Sequence, residues 1–169
     1  MRIETFRLVI TEMAMDMAED VHKNSLDEDT RRFVPDEVFE TVDEAKDTLT
    51  FLTSCYGNFE SPQVYAVIRK EDGANIGYVQ MVPLQDKDWE IGYHVAKQYT
   101  GNGYATEAVR AFLPIMAKNI GTREVYGICA AENAASLRVL EKSGFEMLYA
   151  GQGEYQGERR EIVKRVWKV

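Results

Sequence analysis

The chain has 169 residues, of which 45% are hydrophobic and 28% charged, a balance typical of one folded domain that buries about two thirds of the surface of its unfolded form. Its net charge of -8 opposes binding to nucleic acid or to an anionic membrane, because both require a basic protein surface. We therefore expect a single domain over residues 1–169 with neither kind of partner.

The two cysteines, Cys55 and Cys129, lie far apart and form no Cys-x-x-Cys or Cys/His pattern. This spacing predicts no structural zinc and no other metal site, and it fits two buried thiols in a reducing, cytoplasmic location. The N-terminal segment carries a charge every few residues, so it predicts neither a signal peptide nor a membrane span.

The first half of the chain predicts a strand, a helix, a loop, a second helix and a strand hairpin closed by an Asp-Gly turn. The four-residue spacing of Met13, Met17 and Val21 indicates the first helix, and Thr41 followed by Glu44 forms a capping box for the second. These elements cover residues 6–11, 13–24, 25–40, 41–56, 63–70 and 75–84.

The second half predicts a strand, a long helix, a strand, a short helix and two final strands joined by a polar loop. Pro114 is expected to kink the long helix, and Asn133 and Gly144 are expected to cap the short one at its two ends. The elements cover residues 88–95, about fifteen residues from Ala105, residues 123–130 and 132–145, and the last thirty residues. Their alternation indicates a mixed α/β sheet.

A glycine-rich stretch, QYTGNGYATEA at 98–108, separates the predicted strand at 88–95 from the long helix. A Rossmann fingerprint would need a third glycine where Thr106 stands, and the lysine of a P-loop is absent. Gly101 and Gly103 still allow positive φ directly before a helix N-terminus, where free N–H groups and the helix dipole favour an anion. The residues alone leave a phosphate cradle and an ordinary turn equally open.

Three segments also resemble the GNAT superfamily of acetyl-CoA-dependent acetyltransferases. Gln98, Gly101 and Gly103 match its [Q/R]-x-x-G-x-[G/A] signature, and NAASLRVLEKSGF is similar to a second family segment about thirty residues later. The opening IETFRLVIT is similar to the branch that includes the ribosomal-protein N-terminal acetyltransferases of the Rim type. The resemblance implies a mostly antiparallel sheet of about seven strands, splayed between the fourth and the fifth, with about four helices.

The resemblance further implies transfer of an acetyl group from acetyl-CoA to a primary amine by direct attack. Backbone N–H groups of the glycine loop would bind the CoA pyrophosphate, and the strand at 88–95 would pair with the pantetheine arm, with a bulge at Gly92 causing the splay. A backbone N–H near Tyr93 to Val95 would polarise the thioester. The cofactor-binding residues implied are Tyr93, His94, Val95, Gln98, Gly101, Asn102, Gly103, Tyr104, Ala105, Thr106, Asn133 and Ser136.

Glu90 is the expected general base, because it lies on the strand of the oxyanion donor and off its apolar face. A solvated carboxylate is the alternative interpretation, and His94 is a second candidate base. Many family members carry a tyrosine general acid seven residues after the asparagine that corresponds to Asn133. In this chain that position is Leu140. Ser136 or an ordered water is the expected replacement.

The acceptor amine is not specified by the sequence, and a protein N-terminus and a small amine both stay open. The resemblance implies an acceptor groove between residues 31–39 and 151–161. A homodimer is allowed but not required. Two other classes also stay open: a non-catalytic acyl-CoA-binding sensor, which would keep the glycine loop without a base, and a module that binds another phosphorylated ligand.

Overall fold

All eight strands of the chain form one sheet in the computed structural model, which describes residues 1–169. The strands are β1 Arg2–Glu4, β2 Leu8–Glu12, β3 Gln63–Arg69, β4 Asn75–Pro83, β5 Trp89–Val95, β6 Glu124–Ala130, β7 Glu146–Tyr155 and β8 Glu158–Lys168. Their order is β1-β2-β3-β4-β5-β6-β8-β7, and only β5 and β6 run parallel. The predicted mixed sheet is confirmed with eight strands instead of about seven, because three-residue β1 is too short to show a pattern.

Five helices cover the two faces of the sheet. They are α1 Ala18–Asn24, α2 Glu28–Phe33, α3 Val42–Ser54, α4 Tyr104–Ile120 and α5 Ala134–Lys142. Tyr65 and Val67 of β3 pack in the core that contains α4, whereas Val64 and Ala66 pack with α1 and α3. Since alternate residues of a strand point to opposite faces, α4 lies on one face of the sheet and α1 with α3 on the other. None of the helices combines the length and apolarity needed to cross a membrane.

The predicted loop at 25–40 is wrong, because it contains α2 and a short 3-10 turn at Pro35–Glu37. The Asp27 side chain caps α2 by accepting a hydrogen bond from the Thr30 N–H at 2.9 Å. Six residues give fewer than two helical turns, too few for a hydrophobic period to be visible in the sequence.

The other predicted helix ends are largely confirmed. Thr41 accepts from the Glu44 N–H at 3.2 Å, although the Glu44 carboxylate accepts from the Glu40 N–H instead of completing the capping box on Thr41. Asn133 accepts from the Ser136 N–H at 3.1 Å, and Gly144 follows the last cap with φ +86. Helix α4 continues through Pro114 as one element.

The expected splay lies between β5 and β6, which pair at one position, Glu90 with Tyr126. The bulge predicted at Gly92 is wrong, since Gly92 pairs in regular register with Gln80 of β4. A Cβ on Gly92 would lie 2.6 Å from Gln80 Nε2, so the glycine leaves room for the Gln80 side chain to lie across the strand.

Candidate active site

The glycine loop before α4 presents a row of free backbone donors. Gly101 and Gly103 have φ values of +79 and +80, as the sequence predicted for this turn. No backbone N–H group from Gly101 to Thr106 donates a hydrogen bond within the chain. These N–H groups lie at the N-terminus of α4, which is the positive end of the helix dipole. The loop therefore favours an anion. The Asn102 side chain supports this turn by donating to Tyr99 O at 3.0 Å.

Arg7 of the N-terminal segment holds the loop from outside, a role that the sequence did not reveal. Its Nη1 donates to the Asn102 carbonyl at 2.9 Å, and its Nε donates to Glu107 Oε2 at 2.7 Å. The guanidinium also lies 4.5 Å from the centre of the Tyr104 ring. Arg7 and Asn102 are 95 residues apart, so no local pattern could have linked them.

A groove of about 470 Å³ continues from the loop along α4 toward α5. Gly103, Thr106 and Arg110 border it at helical spacing, and Lys142 of α5 borders it as well. These two cations were not predicted from the sequence, although their positions on the predicted helices were a usable signal. Their positive charges favour an anion in the groove, which Glu107 also borders.

The free edge of β5 presents backbone N–H groups at the positions where the oxyanion donor was predicted. Ala96 N–H donates to Ile76 O, and hydrogen-bonded pairs alternate along antiparallel strands. The N–H groups of Gly92 and His94 therefore face β4, whereas those of Tyr93 and Val95 face the side on which β6 diverges. The sequence placed His94 among the cofactor residues, but its N–H is directed away from that edge.

The His94 side chain makes its contacts with α2 and its N-cap, away from the free edge of β5. Its Nε2 lies 2.8 Å from Thr30 Oγ1 and 3.4 Å from Asp27 Oδ2, on the face that carries the early helices. The hydrogen bond with His94 is the largest cause that holds the pKa of Asp27 well below its usual range. The ring stacks on Tyr78 with centroids 5.7 Å apart. The His94 side chain thus supports α2, which disfavours His94 as the second candidate base and leaves Glu90 as the predicted one.

Glu90 is partly buried at the point where β5 and β6 meet. Burial raises the pKa of its carboxyl to about 7, against the opposing effects of the Ile128 N–H and Lys164, and the nearby Glu37 raises the pKa further. A carboxylate with this pKa can take a proton near neutral pH. The geometry does not favour the alternative of an ordinary solvated carboxylate.

Ser136 and Tyr93 form a hydroxyl pair on the opposite side of β5. The two hydroxyl oxygens are 2.8 Å apart, and the Tyr93 hydroxyl lies 3.0 Å from the Ser136 carbonyl, to which it donates. In that arrangement the Ser136 hydroxyl donates to Tyr93, because a phenol has one proton. Burial raises the pKa of Tyr93, so its proton stays in place.

Other residues of the two family motifs have local structural positions in the fold. Asn133 uses its Oδ1 as the cap of α5. Leu140, where the family tyrosine would stand, is buried in the core, and a Cβ on Gly127 would lie 2.4 Å from its Cδ2. Gln98 lies exposed on a 3-10 turn, where no hydrogen bond fixes its side chain. No cluster of three or more His, Cys, Asp or Glu residues is arranged to hold a metal ion.

A cavity of about 280 Å³ lies on the other face of the sheet, between α1, α3 and strands β3 to β5. Two residues of the predicted acceptor region, Glu37 and Phe39, line it. Tyr155, from the second predicted segment, is close enough to Glu90 and Glu37 to be affected by their charges, and burial together with these charges raises its pKa to about 12. Residues of both segments therefore lie near Glu90.

Known proteins resemble this chain over most of its length. A family model described as Acetyltransferase (GNAT) domain matches residues 7–146. The uncharacterized N-acetyltransferase YnaD of Bacillus subtilis (strain 168) is 28% identical over 145 residues, which cover 85% of this chain and 82% of YnaD.

Two solved structures share the fold. An acetyltransferase (GNAT family) from Bacillus anthracis superimposes with a TM-score of 0.85 at 23% identity, covering 99% of this chain and 98% of that one. RimL, a ribosomal L7/L12 alpha-N-protein acetyltransferase in complex with coenzyme A, has a TM-score of 0.84 at 16% identity, covering 100% and 98% of the two chains.

Replacing Glu90 with Gln should stabilise the fold at alkaline pH. Because burial raises the pKa of Glu90 from 4.5 to about 7, its favourable contribution is complete below pH 4.5 and is lost as the pH rises through 7. We expect Glu90→Gln to unfold like the wild type at pH 4.5 but to gain on the order of 2 kcal/mol at pH 8.5, or about 5 °C in Tm by calorimetry. Exposed Glu158→Gln is the control and should show no such pH-dependent gain.

Proposed function

Since the chain belongs to the GNAT acetyltransferase family, whose members are acetyl-CoA-dependent N-acetyltransferases, we propose that it acetylates a primary amine by direct attack on acetyl-CoA. The acceptor is either a small-molecule amine or a protein N-terminal α-amine, the substrate class named for RimL. The observation that carries the proposal is the combination of free N–H donors at 101–106, beyond the end of β5, with the partly buried carboxylate of Glu90 at the point on β5 where β6 diverges.

Acetyl-CoA would bind along the edge that β5 leaves unpaired. The N–H groups of Gly101 to Thr106 would donate hydrogen bonds to the pyrophosphate oxygens, and the groove with Arg110 and Lys142 would take the remaining phosphate of the nucleotide. The pantetheine arm would lie between β5 and β6. The N–H of Tyr93 or Val95 would then donate to the thioester oxygen as negative charge develops on it.

The reaction requires two proton movements, and one side of β5 serves each. Glu90 takes a proton from the ammonium, directly or through water, and the neutral nitrogen attacks the thioester carbon. The tetrahedral species collapses when the C–S bond breaks and its nitrogen gives up a second proton to water, which leaves the amide and a thiolate. Ser136 gives its hydroxyl proton to the thiolate and regains one from that water.

A non-catalytic acyl-CoA-binding protein is the second candidate function. It would need the glycine loop and the splayed strands but no carboxylate with a pKa near 7 at their junction. Release of free thiol from acetyl-CoA in the presence of amines separates the two functions, because a sensor binds acetyl-CoA without amine-dependent release.

Introducing a carboxylate into the anion site should weaken acetyl-CoA binding without harming the fold. Ala105→Glu places a negative charge in the first turn of α4, where it suits the helix dipole but repels the pyrophosphate. We expect at least a tenfold rise in Kd for acetyl-CoA by calorimetry. Asn119→Glu adds the same charge about 20 Å away at the other end of α4 and should bind normally. Equal Kd values for the two variants would show that the loop is not part of the cofactor site.

Glu90→Gln should also abolish the pH dependence of the reaction near neutrality. In the wild type, kcat/KM should rise up to about pH 7 as the carboxyl ionises and then level off with respect to this group. We expect the variant to lose about a hundredfold or more in kcat/KM and to lack this inflection. A variant that keeps the wild-type pH profile would exclude Glu90 as the base.

Ser136→Ala should slow turnover while leaving acetyl-CoA affinity intact. The substitution removes the hydroxyl proton next to Tyr93 but keeps the Asn133 cap, which binds the backbone N–H of residue 136. We expect kcat to fall about tenfold or more. Ser143→Ala, at the other end of α5, controls for the loss of a helix hydroxyl. Full turnover by Ser136→Ala would transfer the acid role to water.

A further inference from the structure

Two buried polar atoms in the 280 Å³ cavity have no hydrogen-bond partner. One is Oε2 of Glu37, whose other oxygen accepts from Gln80 Nε2 at 3.2 Å. The second is Nδ2 of Asn75, a residue only 6% exposed whose Oδ1 already accepts from the Gly77 N–H at 3.2 Å. An unpaired buried polar group costs about 1–3 kcal/mol, so both atoms are suited to a ligand that pairs with them.

The two atoms are held at different points along β4, which lines the cavity. Asn75 begins β4, and the pairing of β3 with β4 skips Ile76, a bulge that turns Asn75 toward the α1 side. Gln80, which holds Glu37, lies five residues further along β4, or about 16 Å of extended strand. A ligand in the cavity therefore meets a carboxylate at one end and an amide donor toward the other.

The Glu37 end adjoins the proposed base. Val82 lines the cavity and is the cross-strand partner of Glu90, so both side chains lie on the same face of the sheet. Gly92 provides the space in which Gln80 reaches Glu37. An amine drawn to Glu37 would thus arrive next to the carboxyl that must deprotonate it.

The walls between the two ends are mainly apolar. Residues from Met13, α1, α3 and β3 supply them, including Val21, Leu49, Leu52 and Val64. The volume lies at the lower limit of the roughly 300–1,000 Å³ typical of small-ligand pockets. The cavity is too small and too apolar to suit a long polyamine or a large polar molecule.

On the basis of the proposed function, we propose that the acceptor is a primary amine on a compact apolar body that carries a hydrogen-bond-accepting oxygen far from the nitrogen. The ammonium pairs with Glu37, the apolar body fills the cavity, and the distal oxygen accepts from Asn75 Nδ2. A p-hydroxyphenylethyl amine has this chemistry. Tyramine is the free form, and a tyrosine at a peptide N-terminus carries the same amine and phenol groups.

Thiol release from acetyl-CoA by the full-length protein tests this acceptor class. The free-amine panel is tyramine, phenethylamine, ethanolamine and spermidine, and the peptide arm compares short peptides that begin with tyrosine or serine. We expect kcat/KM for tyramine or the tyrosine peptide to exceed the values for the polar acceptors at least tenfold. The two arms identify the source of the amine. Equal or better use of spermidine, ethanolamine or the serine peptide overturns the assignment.

A matched pair of tryptophan variants tests the location. Leu52 lines the cavity on α3, whereas Thr50 is exposed on the same helix. We expect Leu52→Trp to lose at least tenfold in kcat/KM for the preferred acceptor and Thr50→Trp to stay within twofold. Both should keep the wild-type Kd for acetyl-CoA, which also shows that they fold. Equal kinetics in the two variants excludes the cavity.

Glu37→Gln keeps the side-chain shape and removes the charge. We expect KM for the preferred amine to rise about tenfold with little change in kcat, in contrast to the kcat loss of Glu90→Gln, and the exposed Asp36→Asn to behave as wild type. Calorimetric titration of tyramine into the CoA-bound protein gives the same ranking without turnover. If the protein binds acetyl-CoA but acetylates no acceptor in either arm, the proposed function is refuted. If Glu37→Gln leaves turnover unchanged, only the acceptor site is refuted.

Discussion

The incomplete pairing of β5 with β6 is the feature on which the site depends. The two parallel strands meet at Glu90 and Tyr126 and then diverge, so the N–H groups of Tyr93 and Val95 are left without a strand partner. Buried backbone groups require partners, and in the proposed function the pantetheine arm would provide them by pairing like a strand. The same divergence places the Glu90 carboxyl at the junction, where burial raises its pKa to about 7.

Alternation along β5 separates the two halves of the chemistry. Tyr93 faces α5 and its hydroxyl meets Ser136, whereas Glu90 lies with Val82 on the face of the early helices. Strand β5 therefore lies between the proposed proton donor for the leaving group, Ser136 of α5, and the proposed proton acceptor for the nucleophile, Glu90.

The sequence predicted what local chemistry determines. The Asn133 cap, the positive φ values of Gly101 and Gly103 and the strand containing Glu90 all follow from patterns within a few residues, and each lies where it was expected. Contacts between distant segments were not visible: Arg7 on the glycine loop, Gln80 on Glu37, and the cavity at the Asn75 bulge. Gly92 was misread for the same reason, since its role depends on a side chain of the neighbouring strand.

The bond from Arg7 to the Asn102 carbonyl also bears on how the site comes into being during folding. It closes a loop of 95 residues, so the entropic cost of forming it falls on the association of the N-terminal strand with α4 and not on the glycine turn itself. Arg7 leaves the ribosome well before the loop, and β2 can pair with β3 in advance of α4. The contact that supports the glycine loop can therefore form only once the N-terminal strand and α4 have come together.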